Sequence, residues 1–157
     1  MRTIATRAVS RNARLALTVQ FDVDAAPLPR RPTLRRWATA ALERDAQVTL
    51  RFVGAREGRT LNRRYRRRDR ATNVLTFVYD DGVSLAGDIV LCAPVVAREA
   101  RAQRKTLRAH YAHLVIHGML HLQGYDHERD ADAARMETRE NALLRMLGYA
   151  NPYGERS

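Results

Sequence analysis

Cysteine is almost missing from this chain of 157 residues: Cys92 stands alone. A single thiol excludes an internal disulfide framework and any CxxC metal or redox motif. No apolar run approaches the roughly 20 residues that span a bilayer, which excludes a transmembrane helix. The apolar stretch of a secretory signal is absent, and so are internal repeats, low-complexity tracts and linkers. Lysine is scarce too, outnumbered by arginine 27 to 1. What is present is 45% apolar and 29% charged, an ordinary globular composition that excludes a disordered or collagenous chain. The length predicts one domain over residues 1–157, large enough to bury a core without disulfides or a partner.

Charge is the anomaly. The net formal charge is +11, and all of the excess lies in the first half. Residues 1–78 hold 18 arginines against 6 acids, whereas residues 79–157 hold 10 basic residues against 11 acids. A one-sided basic surface favours polyanions, nucleic acid first among them, through steering and counterion release. The bland alternative is an arginine bias inherited from a GC-rich genome. The first 21 residues carry four arginines and no acid, a faint transit-peptide flavour. Against it, Leu15, Leu17, Val19 and Phe21 alternate with Ala16, Thr18 and Gln20, the period-2 pattern of a half-buried strand. This stretch is therefore read as part of the fold, and the expected compartment is the cytoplasm.

Prolines 27, 29 and 32 mark a loop, after which Thr33 is expected to cap a helix reaching about Arg44. Residues 47–53 read as a second strand and 56–66 as a short basic helix. Asn73–Tyr79 and Gly87–Cys92 read as two further strands about the Asp81-Gly82 turn signal. From Ala93 the pattern is helical almost to Gly148, with one interruption near Gln123–Asp126. Strands first and helices after predict an α+β class.

All five histidines fall between positions 110 and 127. His110, His113, His117 and His121 are spaced to share one stripe of a helix. His117 and His121 are i, i+4 neighbours, close enough for two imidazoles to share an ion. Gly124 can end the helix in a left-handed turn and bring His127 back from a third direction. Three neutral imidazoles suit one Zn²⁺ and leave its fourth position for water, a catalytic rather than a closed structural arrangement. His113 and His117 have the same spacing, but only the set His117, His121 and His127 includes the return loop. His113 is then either a support for a ligand or a packed core histidine, and His110 is structural. Asp126 either bonds a ligand histidine or, as preferred here, caps the next helix. The spacing equals that of the long zinc-protease motif, H-E-x-x-H-x-x-G-x-x-H. Gly118 replaces its general-base glutamate, which disfavours a peptide substrate. Between Arg59 and Arg70 lie seven arginines, one aspartate and Tyr65. Guanidinium groups bind phosphate oxygens and an aromatic ring stacks a base, so phosphodiester cleavage is the economical reading.

At this point the residues resemble a known family. His117-Gly118-Met119-Leu120-His121-Leu122-Gln123-Gly124-Tyr125-Asp126-His127 resembles the H-G-x-L-H-L-x-G-Y-D-H signature of the YbeY family, bacterial rRNA maturation factors regarded as single-strand-specific metallo-endoribonucleases. Leu61-Asn62, Tyr65-Arg66, Asp69 and Thr72 to Phe77 resemble its LN-x-x-YR…D…T-[DN]-VLSF segment. Gly87-Asp88-Ile89 resembles its G-D-I strand start. Arg135-Met136-Glu137, Glu140, Leu143-Leu144 and Leu147-Gly148 resemble its closing helix. Arg67, Ala71 and Thr76 depart from it, standing where the family has Gly, Pro and Ser. The resemblance implies zinc on His117, His121 and His127 and a functional arginine at Arg66. It implies action on single-stranded RNA at the 3′ end of small-subunit ribosomal RNA, and in ribosome quality control. It also implies a small, mostly parallel, mixed four-stranded sheet packed with helices, the zinc site lying on a helix of the C-terminal half and its following loop. Two rivals are a metallohydrolase of another substrate class, such as peptides, and a non-catalytic basic ribosome-binding protein with structural zinc.

Overall fold

The computed structural model describes residues 12–24, 27–66 and 72–152, the side chain of Arg66 excepted. The arginines at 67, 68 and 70, Asp69, the departures at Arg67 and Ala71, and residues 1–11 of the basic N-terminal stretch lie outside the described residues. Among the described residues, four strands and five helices follow in the order β1 (Leu15–Asp22), α1 (Arg31–Ala40), β2 (Ala46–Val53), α2 (Ala55–Arg66), β3 (Val74–Asp81), β4 (Leu85–Cys92), α3 (Ala93–Ala102), α4 (Leu107–Leu122) and α5 (Asp130–Met146). The sheet order is β1-β2-β4-β3. β1 and β4 both run parallel to β2, and β3 alone is antiparallel, paired to β4. This is the mixed, mostly parallel α+β architecture expected.

The burial of each strand follows its place in the sheet. β1, at one edge, alternates half-buried and exposed residues, as a strand with one wet face must. β2 and β4, in the middle, are far more buried. Val48, Leu50 and Phe52 of β2 and Ile89 and Leu91 of β4 join α1, α4 and α5 in the main core. A smaller cluster of Val53, Leu75, Val90, Cys92 and Val95 seats Leu61 of α2 and Phe77 on the opposite face.

α4 is the central helix, and it is apolar on nearly every side. Leu114, Val115, Ile116, Met119 and Leu120 are all buried, as befits a helix enclosed by the fold. The Thr106 hydroxyl caps its start by accepting from Ala109 N at 3.1 Å. Gly118 lets it approach β4: a Cβ there would sit 2.9 Å from Ile89 Cγ2. Among the described residues no helix is long and apolar enough to cross a membrane.

Three helix boundaries differ from expectation, and one of them is the end of α1, which stops at Ala40 instead of about Arg44. α1 starts at Arg31 with Pro32 in its first turn and has no side-chain cap. Proline's fixed φ suits that position, so Thr33 lies inside the helix. The long helical region also breaks at 103–106, where Arg104 adopts φ 54°. Arg104 N donates to Arg101 O and Lys105 N to Ala100 O, a Schellman turn that usually takes glycine.

Candidate metal centre

The end of α4 is built to turn back on itself. Gly124 has φ 102°, with its N–H on His121 O and the Tyr125 N–H on Leu120 O, another Schellman turn. The loop is then tied to the region after α1. Buried Gln123 accepts from Glu43 N at 2.6 Å and donates to Ala41 O and Met119 O. The Tyr125 hydroxyl donates to Glu43 Oε2 at 2.9 Å, and Arg139 Nε donates to the same oxygen at 3.3 Å. These bonds determine where His127 begins its approach.

The loop, the last turn of α4, Asn62 of α2 and Thr72–Thr76 enclose a cleft of about 500 Å³. His117, His121 and His127 all line it. Their ring centroids are 6.3 Å apart for His117–His121, 5.6 Å for His117–His127 and 5.9 Å for His121–His127. Imidazoles on one tetrahedral ion, with metal–nitrogen bonds of about 2.0–2.1 Å, have centroids roughly 5 Å apart. The three rings lie near that spacing.

Hydrogen bonds orient two of them. His117 Nδ1 donates to Glu140 Oε1 at 2.7 Å, and His121 Nδ1 donates to Tyr125 O at 3.0 Å. A neutral imidazole that donates through Nδ1 keeps its lone pair on Nε2, the tautomer that a metal-binding histidine needs. Burial pushes the His121 imidazole below its usual pKa, against the opposing bond to Tyr125. The neutral form is thereby favoured. The donor set fits a borderline-soft divalent ion such as zinc.

Glu140 is the residue that sequence reading left without a role. It is fully buried on α5 and also accepts from His113 Nε2 at 3.0 Å. Among the described residues, His113, His117 and Glu140 bring ligand atoms within 4.8 Å of one another, a group that could hold a metal ion. Their 2.7 Å and 3.0 Å contacts are hydrogen-bond lengths. Ligands on a tetrahedral zinc at about 2.1 Å lie roughly 3.4 Å apart. As it stands, the group is a carboxylate joining two imidazoles. Burial, working against the Glu140 bond, also pushes the His113 pKa down.

His110 is buried and bonded through Nε2 to Glu99 Oε1 at 2.9 Å, a structural position. Glu99 also accepts from Asn73 Nδ2 at 3.0 Å, which ties α3 and α4 to the start of β3. Asp126 does not cap α5, whose N-cap is Arg129. Its Oδ1 accepts from Glu128 N at 2.7 Å, so the short side chain closes a turn inside the loop. Arg66 is the last residue of α2, one turn beyond Asn62, and its side chain lies outside the described residues. Position 118 faces Ile89, where no general base could reach the cleft.

Asn62 on α2 and the segment that carries Thr72, Asn73 and Thr76 at the start of β3 meet the histidines at one opening. Fold and cleft together define an α+β protein whose histidine-lined pocket suits a metal ion and opens beside an arginine-rich helix. The pattern of the family described as endoribonuclease YbeY matches residues 31–148. A protein named endoribonuclease YbeY from Aromatoleum aromaticum is 61% identical over 145 residues, covering 90% of this chain and 94% of that one. Another of that name, from Nitrosomonas eutropha, is 56% identical, covering 87% and 97%. The solution structure of TM1509 from Thermotoga maritima superposes with a TM-score of 0.54 at 26% identity, covering 89% of this chain and 99% of that one. The chain belongs to the YbeY endoribonuclease family.

Proposed function

We propose that residues 1–157 form a single metallo-endoribonuclease domain that cleaves single-stranded RNA with one zinc ion on His117, His121 and His127. Its place of action on this reading is the cytoplasm, at the 3′ end of small-subunit ribosomal RNA and in ribosome quality control. The family's name supports the RNA substrate. The observation that carries the metal assignment is the pair of Nδ1 bonds that leaves lone pairs on His117 and His121 Nε2.

Zinc bound there would supply Lewis-acid chemistry to a phosphodiester. The remaining work belongs to the chain. Glu140 holds the His117 tautomer, and the Tyr125 carbonyl holds that of His121. Thr72 and Thr76 offer hydrogen bonds to the sugar–phosphate along the cleft. Arg66 is the catalytic arginine on this reading: a guanidinium at the end of α2 neutralises charge that develops on the phosphate. The ribosome supplies a natural polyanionic partner for the basic half of the chain.

The test is cleavage of a single-stranded RNA by the purified protein, with metal content measured in parallel. Chelation and His121→Ala should each abolish cleavage, and Arg66→Ala should abolish it with zinc retained. Unchanged cleavage by Arg66→Ala would favour a different catalytic arrangement. Casein digestion in place of RNA cleavage would favour the peptide reading.

A further inference from the structure

RNA held in the cleft must continue past it, and the surroundings differ in charge on the two sides of β3. Thr76 lines the cleft, whereas Phe77, its neighbour on this edge strand, points to the opposite face and packs with the α2 cluster. Successive strand residues alternate faces, so the two straddle the sheet edge. Tyr65 rests on Phe77 edge-to-face, with centroids 5.2 Å apart and an interplanar angle of 68°. Such a contact uses the rim of one ring, and Tyr65 remains 60% exposed. It lies three residues beyond buried, cleft-lining Asn62, which puts the two on neighbouring sides of the same helix.

Charge chooses the direction. Arg56, Arg59, Arg63 and Arg64 are exposed on α2, and Arg64 Cζ lies 6.0 Å from the Tyr65 ring centroid. Tyr79, the other exposed aromatic among the described residues nearby, commits its hydroxyl to Asp88 at 2.7 Å and is followed by exposed Asp80 and Asp81. Phosphates are attracted to the α2 side, whereas Arg44, bonded to the Asp81 and Gly82 carbonyls, offsets the acids of the β3–β4 turn.

We propose that Tyr65, backed by Phe77, is a stacking platform for an unpaired base of the RNA just outside the cleft, with the α2 arginines drawing in the adjoining phosphates. The inference rests on the nuclease reading for the identity of its ligand, though not on catalysis. A flat, exposed ring among guanidinium groups matches single-stranded nucleic acid, in which bases are free to leave their neighbours. In a duplex those faces are already covered.

The experiment measures binding of a labelled single-stranded oligoadenylate in the presence of chelator, so that no turnover intervenes. Stacking on one aromatic contributes roughly 5- to 150-fold in affinity. Tyr65 is only partly enclosed, so Tyr65→Ala should weaken binding by about 5- to 20-fold and Tyr65→Phe by less than about 2-fold. An abasic oligonucleotide keeps the phosphates and removes the bases, so wild type and Tyr65→Ala should bind it alike. Thermal melts by circular dichroism confirm that both variants are folded. The platform is overturned if Tyr65→Ala binds oligoadenylate like wild type, if Tyr65→Phe is as weak as Tyr65→Ala, or if the abasic strand shows the same loss. Protein that binds normally but never cleaves after zinc is restored would sink the nuclease reading and leave the platform standing.

Discussion

Replacing Glu140 with glutamine tests the metal assignment at its least visible point. The wild-type carboxylate is fully buried and accepts from His117 Nδ1 at 2.7 Å and His113 Nε2 at 3.0 Å. Hydrogen bonds to a charged group each contribute about 1.5–3 kcal/mol. Glutamine keeps the shape and one acceptor oxygen, but it loses the charge and turns an NH₂ group towards the second imidazole. Outer partners of ligand histidines typically change metal affinity by about 10- to 100-fold, which is about 1.4–2.7 kcal/mol. Glu140→Gln should therefore bind zinc about 10- to 100-fold more weakly, as measured by competition with a chromophoric chelator at fixed pH. A circular dichroism melt shows whether the fold survives. Unchanged affinity in a folded variant would refute the argument that this carboxylate sets the ligand tautomer. A loss as complete as deleting a ligand, together with normal binding by His127→Ala, would move the ion to His113, His117 and Glu140.

Two other perturbations address the scaffold. Arg104 holds a left-handed backbone at φ 54°, a conformation that costs a side chain about 1–2 kcal/mol. Arg104→Gly should raise stability by about 1 kcal/mol, read from urea melts, and a loss of stability would contradict the strain. The Tyr79 phenol is pushed up to about 12, chiefly by its bond to Asp88. Because the unfolded chain releases this proton near pH 10, the stability it contributes is complete below pH 10 and is lost as the pH rises through about 12. Tyrosinate absorbance of wild type minus Tyr79→Phe should titrate near pH 12 and return towards 10 in Asp88→Ala; a wild-type midpoint near 10 would refute the coupling.

Much of the architecture was legible because its signals are local. The alternation of Leu15, Leu17, Val19 and Phe21 is repeated in the half-buried pattern of β1. Gly124 announced the turn after α4, and it does adopt positive φ. Boundaries failed where the local signal was misleading. Thr33 looked like a cap, but Pro32 had already opened the helix. Nothing marked the break at Arg104, since the left-handed position there is held by a residue that rarely adopts it. Asp126 had the chemistry of a cap and the wrong distance to α5, so it closed a turn on Glu128 instead.

The histidine spacing, the basic half and the strand-then-helix order follow from neighbours a few residues apart, and helical or pleated geometry converts them directly into faces and stripes. The partnership of Glu140 with His113 and His117 joins residues 27 and 23 positions apart. The tie from Glu43 to Gln123 and Tyr125 spans 80 and 82. No periodicity encodes such pairs, because they exist only once α4 has packed against α5 and α1. Chain spacing could nominate the imidazoles, but the direction in which each ring offers its lone pair came from packing.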